Sequence, residues 1–159
     1  MQKKIKYLKS LPSKTVAVGV LLFDRNNQLL VLKPGYKDCW TIPGGIVEKL
    51  ESPNIAAIRE AKEEVGLAIK LVQCIGVDYL SYQLADYKGE SLHIIFIGNR
   101  LSSKDVNNIH IDGKEIIEYK FVDFKDAVKM IDPLLSRRLR GLHKKLNKFV
   151  FMENGIRKA

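Results

Sequence analysis

Cysteine, tryptophan and long apolar runs are all scarce in this chain of 159 residues. The two cysteines, Cys39 and Cys74, are too few for a disulfide scaffold and lack the paired spacing of a zinc site, so free thiols in a reducing cytosol are expected. The longest apolar stretch, Val16 to Phe23, is too short to cross a bilayer. The opening MQKKIKYLKSLPSK contains basic residues but no apolar core of an export signal. Together these absences argue against membrane insertion and secretion and for a soluble, cytoplasmic protein. Internal repeats and low-complexity segments are also missing. What remains is 46% apolar residues, enough to fill the core of one domain spanning 1–159 without covalent staples.

The net charge is +9, and it is unevenly spread. Residues 1–14 carry five lysines and no acid, and residues 133–159 carry eight Lys or Arg against Glu153 alone, leaving −3 for residues 15–132. Basic ends flanking a mildly acidic body can steer polyphosphates or RNA, although a solvated, solubilising surface is the commoner use of such charge. A nucleotide-type small molecule is therefore the preferred partner and nucleic acid the less favoured one.

Acidic residues crowd one short segment, GIVEKLESPNIAAIREAKEEVGL, from Gly45 to Leu67. Ser52-Pro53 supplies a cap followed by proline at the first helical position, and Gly66 sits where a left-handed C-cap is wanted. Within that helix Glu60, Glu63 and Glu64 stand at i, i+3 and i+4 and project from one face, with Ile55, Ile58 and Val65 expected on the opposite, core-facing side. Like charges this close repel unless a cation neutralises them, and a hard dication such as Mg²⁺ or Mn²⁺ prefers carboxylate and carbonyl oxygens.

Gly45, Glu51, Arg59, Glu60, Glu63, Glu64 and Gly66 fill the seven fixed positions of the motif that identifies Nudix hydrolases, and the chain resembles that family. Seven independent matches of this kind arise by chance on the order of once in a million chains. Two positions depart from the pattern: Ala61 is small for its aliphatic slot, and Leu50 stands where many relatives have glycine. The resemblance implies an α/β/α sandwich with a mixed central sheet. It also implies divalent-metal-dependent hydrolysis of the pyrophosphate linkage in a nucleoside diphosphate joined to another moiety, such as a sugar nucleotide, a dinucleoside polyphosphate or a nucleoside triphosphate.

Glu60, Glu63 and Glu64 are the candidate metal ligands, and the resemblance adds Glu51 and a backbone carbonyl at Gly44 or Gly45. Arg59 is read as an orienting cation whose planar fork pairs with Glu51 or with a ligating carboxylate. For the general base, Glu115 leads because it lies six residues before Phe121 in a loop resembling that of some relatives, with Glu118 as fallback and Glu63 a further candidate. His93 and His110 are also within the chemistry's reach, but a lone histidine beside an apolar strand is more often structural. Trp40, Tyr36 and Tyr82 are candidates for stacking a base, and Lys37 for contacting phosphate. Two rival readings keep the same fold: an RNA-end pyrophosphohydrolase, and a catalytically silent domain that senses nucleotide or RNA.

Along the rest of the chain, Thr15–Phe23 and Gln28–Lys33 flank the turn Asp24-Arg25-Asn26-Asn27 and suggest a hairpin. Leu67–Leu80, Ser91–Gly98 and Ile116–Val122 read as strands, with a polar loop at Ser81–Glu90, and Phe124–Ile131 reads as a short helix. From Pro133 a second helix carries Leu135, Leu139, Leu142, Leu146 and Phe149 on one seam and Arg137, Arg138, Arg140, Lys144, Lys145 and Lys148 on its other flanks. The seam suits packing on the chain's own sheet first and a homodimer contact second, so either a monomer or a homodimer is compatible. A short strand from Phe149 ends the chain.

Overall fold

The computed structural model describes residues 1–142, 146 and 148–158. Alternation organises its centre: in β1 (Thr15–Leu21) Val18 and Val20 face one core, while Leu21 faces another on the opposite side. β1 pairs in parallel with β4 (Tyr87–Gly98), which pairs antiparallel with β3 (Leu71–Leu84). β3 then takes β6 (Val150–Glu153) in parallel and β6 takes the two-residue β7 (Ile156–Arg157) antiparallel, giving a mixed five-stranded sheet in the order β1-β4-β3-β6-β7. A separate two-stranded antiparallel ladder joins β2 (Leu29–Pro34) to β5 (Ile116–Val122).

Helix α2 (Pro53–Val65) packs on one side of this frame, and α4 (Phe124–Met130) with α5 (Pro133–Leu142) packs on the other. The architecture is the α/β sandwich with a mixed sheet that the sequence implies. No described helix is long and apolar enough to cross a membrane. Helix α1 (Gln2–Ser10) buries no residue, and Ile5, Tyr7 and Leu8 on it are exposed. Helix α3 (Ser103–Asn107) is a single closed turn, fixed by a reciprocal cap between Ser102 and Asp105.

Several expectations are corrected. Residues 15–33 form a hairpin only at its tip, where Phe23 bridges Leu29 and Asp24 Oδ1 accepts the Gln28 N–H at 2.8 Å. Beyond the tip the two strands part, because β1 finds its partner in β4 and β2 in β5. The expected loop at 81–90 is instead the end of a long hairpin, with β3 and β4 paired out to Leu84 and Tyr87. Ala85 takes a positive φ of 50° at the turn, and Tyr82 and Tyr87 rings pack 6.2 Å apart across it. Aromatic cross-strand pairs of this kind outweigh the polarity that suggests a loop. Residues 67–70 precede the strand.

The core face of α2 is also not the expected one. Ala56, Ala57, Ala61 and Val65 are buried, whereas Ile55 and Ile58 are 60% and 38% exposed. Small side chains let the helix sit close beside β1, which explains why alanine occupies the aliphatic slot at 61. Helix α5 is described from Pro133 to Leu142, and Phe149 is exposed immediately before β6 begins at Val150. Leu146 still packs on the same core as Leu139 and Leu142. Lys144 and Lys145 of the expected basic flank lie outside the described residues. Arg138, expected on that flank, is buried.

Enlarging the buried alanine face is expected to be costly where enlarging an exposed one is not. Ala61→Leu should lose about 1–3 kcal/mol through overpacking, whereas Ile55→Ala should change stability by less than about 0.5 kcal/mol. Urea titration of both variants checks this; equal losses would mean that α2 docks through its isoleucines.

Candidate active site

The site is built on the free edge of β1. The segment from Pro43 to Val47 runs antiparallel alongside that edge: the Val20, Val18 and Val47 amides donate to Pro43, Gly45 and Val16 carbonyls at 2.8, 2.9 and 2.9 Å. Gly44 adopts φ 151°, and a Cβ there would strike the Val18 carbonyl, so only glycine lets the segment approach β1 this closely. Gly45 is required for a different reason, since its missing side chain leaves room for the Glu60 carboxylate. The glycine pair thus lies between a strand edge and the acidic face of α2.

That helix starts and stops where its caps dictate. Ser52 Oγ accepts the Ile55 amide at 3.4 Å, and Gly66 closes the helix in the left-handed region at φ 73°. The following segment ties back to it, with the His110 amide donating to the Val65 carbonyl at 3.0 Å. Before the helix, the Glu48 amide donates to Glu51 Oε2 at 2.9 Å and the Glu51 amide to the Glu48 carbonyl at 3.1 Å. Leu50 sits within this turn at φ 66°, fully exposed. The turn that glycine serves in many relatives is kept, at a backbone strain a leucine pays and a glycine does not.

Arg59 gathers the carboxylates. Its Nε and Nη2 donate to the two oxygens of Glu51 at 2.9 and 3.0 Å, and its Nη1 to Glu60 and Glu63 at 2.8 and 2.9 Å. Nη2 also reaches the Ile46 carbonyl at 3.2 Å. These bonds raise the guanidinium pKa, chiefly through Glu51, and in turn Arg59 holds Glu51 below the usual carboxylate range. Glu60 goes the other way, because burial outweighs its bond to Arg59. Glu64 has no cation paired with it among the described residues. Its Oε2 accepts the Gly44 amide at 2.8 Å, but burial, together with repulsion from Glu60, Glu115 and Glu63, pushes it up to about 8.

Glu115 acts on both Glu60 and Glu64, which places it on their side of the site. Its loop is shaped by Asp112, whose carboxylate accepts the Lys114, Glu115 and Ile116 amides, and by Gly113 at φ 71°. Glu118 is turned elsewhere, to Lys120 at 2.8 Å on an exposed strand face. The stacking candidates are dispersed. Trp40 packs against the core beneath α4 and α5 with the Lys120 ammonium 4.7 Å from its ring centre. Tyr36 is exposed beneath Lys37, and Tyr82 lines a separate depression with Tyr79 and Glu90. Of the four residues expected to bind substrate, only Lys37 borders the cavity next to the glycines.

That cavity has a volume of about 200 Å³. It is lined by Gly44 and Gly45, by the apolar Ile42, Ile95 and Leu135, and by the polar Arg138, His93 and Asp132. Of this polar group sequence reasoning weighs only His93, and it places Arg138 on a basic flank. One signal for it is present: Arg138 stands one turn after Leu134 and Leu135 and beside Leu139, inside the apolar stripe rather than opposite it. Another is Asp78, a lone acid in the apolar run of β3. The two meet, Arg138 Nε donating to Asp78 Oδ2 at 2.6 Å, with both side chains buried.

The donors fit a hard dication: half-buried carboxylates of Glu60 and Glu64 beside glycine backbone, with no cation paired to Glu64 among the described residues. The Gly45 carbonyl already accepts the Val18 amide but keeps a second lone pair. As arranged around Arg59, no three His, Cys, Asp or Glu side chains among the described residues converge on one point. Glu60 and Glu63 would therefore share their oxygens between Arg59 and an ion.

Residues 13–144 match the NUDIX domain family. An RNA pyrophosphohydrolase of Hydrogenovibrio crunogenus is 39% identical over 69 residues, 42% of each chain. An ADP-ribose pyrophosphatase of Methanocaldococcus jannaschii is 32% identical over 116 residues, 69% of this chain and 62% of the relative. The chain thus spans less than two thirds of the length of these curated relatives. Among solved structures, the MutT protein from Methanosarcina mazei Go1 superposes with a TM-score of 0.70 at 20% identity, over 87% of this chain and 100% of that one. With the motif complete from Gly45 to Gly66 and the family match running through most of its length, this chain belongs to the Nudix family.

Proposed function

We propose that this protein is a divalent-metal-dependent pyrophosphohydrolase acting on a nucleoside diphosphate joined to a second moiety. The observation that carries the reading is the arrangement around Arg59: three carboxylates are held in place by one guanidinium, while the half-buried Glu64 rests on the Gly44 amide with no cation paired to it among the described residues. Glu60 and Glu64 would hold Mg²⁺ or Mn²⁺, with Glu63, Glu51 and the Gly45 carbonyl in support. Once bound, such an ion offsets charge on non-bridging phosphate oxygens and makes water a better nucleophile at neutral pH.

The chain's own residues do the rest. Arg59 keeps Glu51 ionised and orients both Glu51 and Glu60. Glu115, presented by the Asp112 turn on the side of Glu60 and Glu64, accepts the proton of the attacking water at its carboxylate. Glu118 is paired with Lys120 and Glu63 with Arg59, which leaves both less suited to that task. Lys37 at the cavity mouth contributes positive charge for the phosphates. The names of the relatives support both ADP-ribose-like compounds and RNA ends as substrates. The RNA reading draws further on α1, whose lysines 3, 4, 6 and 9 are all exposed. A steep loss of RNA affinity with rising salt would favour it.

Glu64→Gln should leave the fold intact and lower turnover by about 10²-fold or more, because it removes a ligand but not volume. Hydrolysis of nucleoside diphosphate derivatives with Mg²⁺ and Mn²⁺, followed by mass analysis of products, checks this. Unchanged turnover would remove Glu64 from the site.

Stability should carry a matching pH signature. Glu64 keeps its proton to about pH 8 in the folded, metal-free protein, against 4.5 for an ordinary glutamate. The folded state thus binds the extra proton between these values, and stability falls as pH rises through them. Glu60, also raised, acts in the same direction. His93, pushed down to about 4 from 6.5 mainly by burial, opposes this only below pH 6.5. Between pH 6.5 and 8 the melting temperature of the metal-free protein should therefore decline. Glu64→Gln should flatten the decline and Mg²⁺ should reverse it. A flat profile in the unmodified protein would contradict the burial of an uncompensated carboxylate.

A further inference from the structure

Helix α1 contributes nothing to the core, and its side chains divide by chemistry. None of its residues is buried. Ile5 and Leu8 stand three apart on one face with Tyr7 at its border, and Leu11 at the C-cap adds a third aliphatic side chain; all four are exposed. Lys3, Lys6 and Lys9 repeat at the same interval on the next face. Lys4 falls among the apolar residues, where its aliphatic stem can lie along them with the ammonium turned outward. An aliphatic stripe left in water is unfavourable, and a row of lysines without acids attracts anions.

The chain fixes this helix at the same end of the sheet as a second exposed apolar element. Just past α1, the Lys14 ammonium bonds Glu90 at 2.5 Å and lies 5.6 Å from the Tyr79 ring centre, and β1 begins pairing at Thr15 opposite Ser91. Here β3 and β4 outrun their neighbours. β1 pairs with β4 only from Ser91, and β6 pairs with β3 only as far as Tyr79, so the hairpin from 81 to 90 projects past both. Leu84 and Tyr87 close its tip, 67% and 63% exposed. Of the charges on the tip, Glu90 is neutralised by Lys14, and Asp86 and Lys88 offset each other. The five lysines of residues 1–14 therefore set the sign of this end of the molecule.

We propose that α1, with the tip of the β3–β4 hairpin beside it, holds the protein reversibly on an anionic phospholipid surface. Ile5, Leu8 and Leu11 enter the boundary between headgroups and acyl chains, and Lys3, Lys6 and Lys9 meet the lipid phosphates. RNA would match the lysines but leave the aliphatic stripe in water. A second copy of α1 would cover the stripe, but a two-fold contact would set two acid-free rows of lysines against each other. A charged bilayer interface satisfies both faces at once. With nine residues the helix lies on the surface and does not cross it, and two short apolar elements give a weak contact that needs the charge as well. This surface does not depend on the chemistry assigned to Glu60 and Glu64.

Co-sedimentation of the full chain with sucrose-loaded vesicles tests it. Vesicles of phosphatidylglycerol and phosphatidylcholine in about equal parts should bind the protein at least about 10-fold more tightly than phosphatidylcholine alone. Raising salt from about 0.05 to 0.5 M should remove most of that advantage. Ile5→Ser combined with Leu8→Ser keeps every charge and touches no buried residue. The pair should weaken vesicle binding by about 10-fold while melting temperature and nucleotide turnover stay unchanged. Lys3→Gln with Lys6→Gln should weaken it to a similar degree. Failure of the unmodified protein to bind the anionic vesicles overturns the proposal. So does undiminished binding by the Ile5→Ser, Leu8→Ser variant, since a contact made by charge alone is one that RNA would make equally. A dimer in sedimentation velocity that the same two substitutions dissociate overturns it in favour of a second copy.

Discussion

One guanidinium among four carboxylates is the contact on which this site depends. Arg59 ties Glu51 from the turn before α2 to Glu60 and Glu63 on the helix itself, so a loop and a helix are locked in one geometry. Without it, Glu51, Glu60 and Glu63 would repel each other beside a half-buried helix face. It does not reach Glu64, however, and the fold leaves that acid half-buried, its Oε2 accepting the Gly44 amide. A carboxylate desolvated this far is unfavourable in its charged form, and it persists because α2 is held where it is by packing that has nothing to do with charge.

That packing is the alanine face. Ala56, Ala57 and Ala61 are fully buried and let α2 lie close to β1, whose outer edge is covered by residues 43–47. The approach brings Glu60 and Glu64 within contact of Gly44 and Gly45 backbone. Two regions meet at that glycine pair: the acidic face of α2, and the cavity lined also by Arg138, His93 and Asp132. The first side is assembled from residues close in sequence. The second draws on β1, β4 and α5, with β3 supplying Asp78 to Arg138.

Legibility followed the same division. The boundaries of α2, its caps at Ser52 and Gly66 and the clustering of its acids were readable because local rules govern each: an N-cap, a C-cap, and a repeat near 3.6. Glu115 was singled out through family spacing, and its charge acts on Glu60 and Glu64. The direction in which α2 faces was not. Hydrophobic periodicity ranks isoleucine above alanine, but close helix–strand approach rewards the smaller side chain, so Ile55 and Ile58 remain outside. Trp40 and Tyr82 misled for a related reason, since an aromatic ring beside a loop looks the same in sequence whether it packs on a core, as Trp40 does, or on a cross-strand neighbour, as Tyr82 does.

The sequence by itself determined the acid-bearing helix, the glycine turn before it and the mixed α/β layering, because each rests on spacing within about twenty residues or on strand-by-strand alternation. Tertiary structure alone decided that β1 and β2 part into different sheets and that residues 43–47 seal the edge of β1. It also decided that Arg138, sixty residues from Asp78, becomes the buried end of a cavity rather than part of a basic surface. Pairings over such separations depend on which strand edges and apolar faces remain free after local structure forms, and no local pattern carries that information.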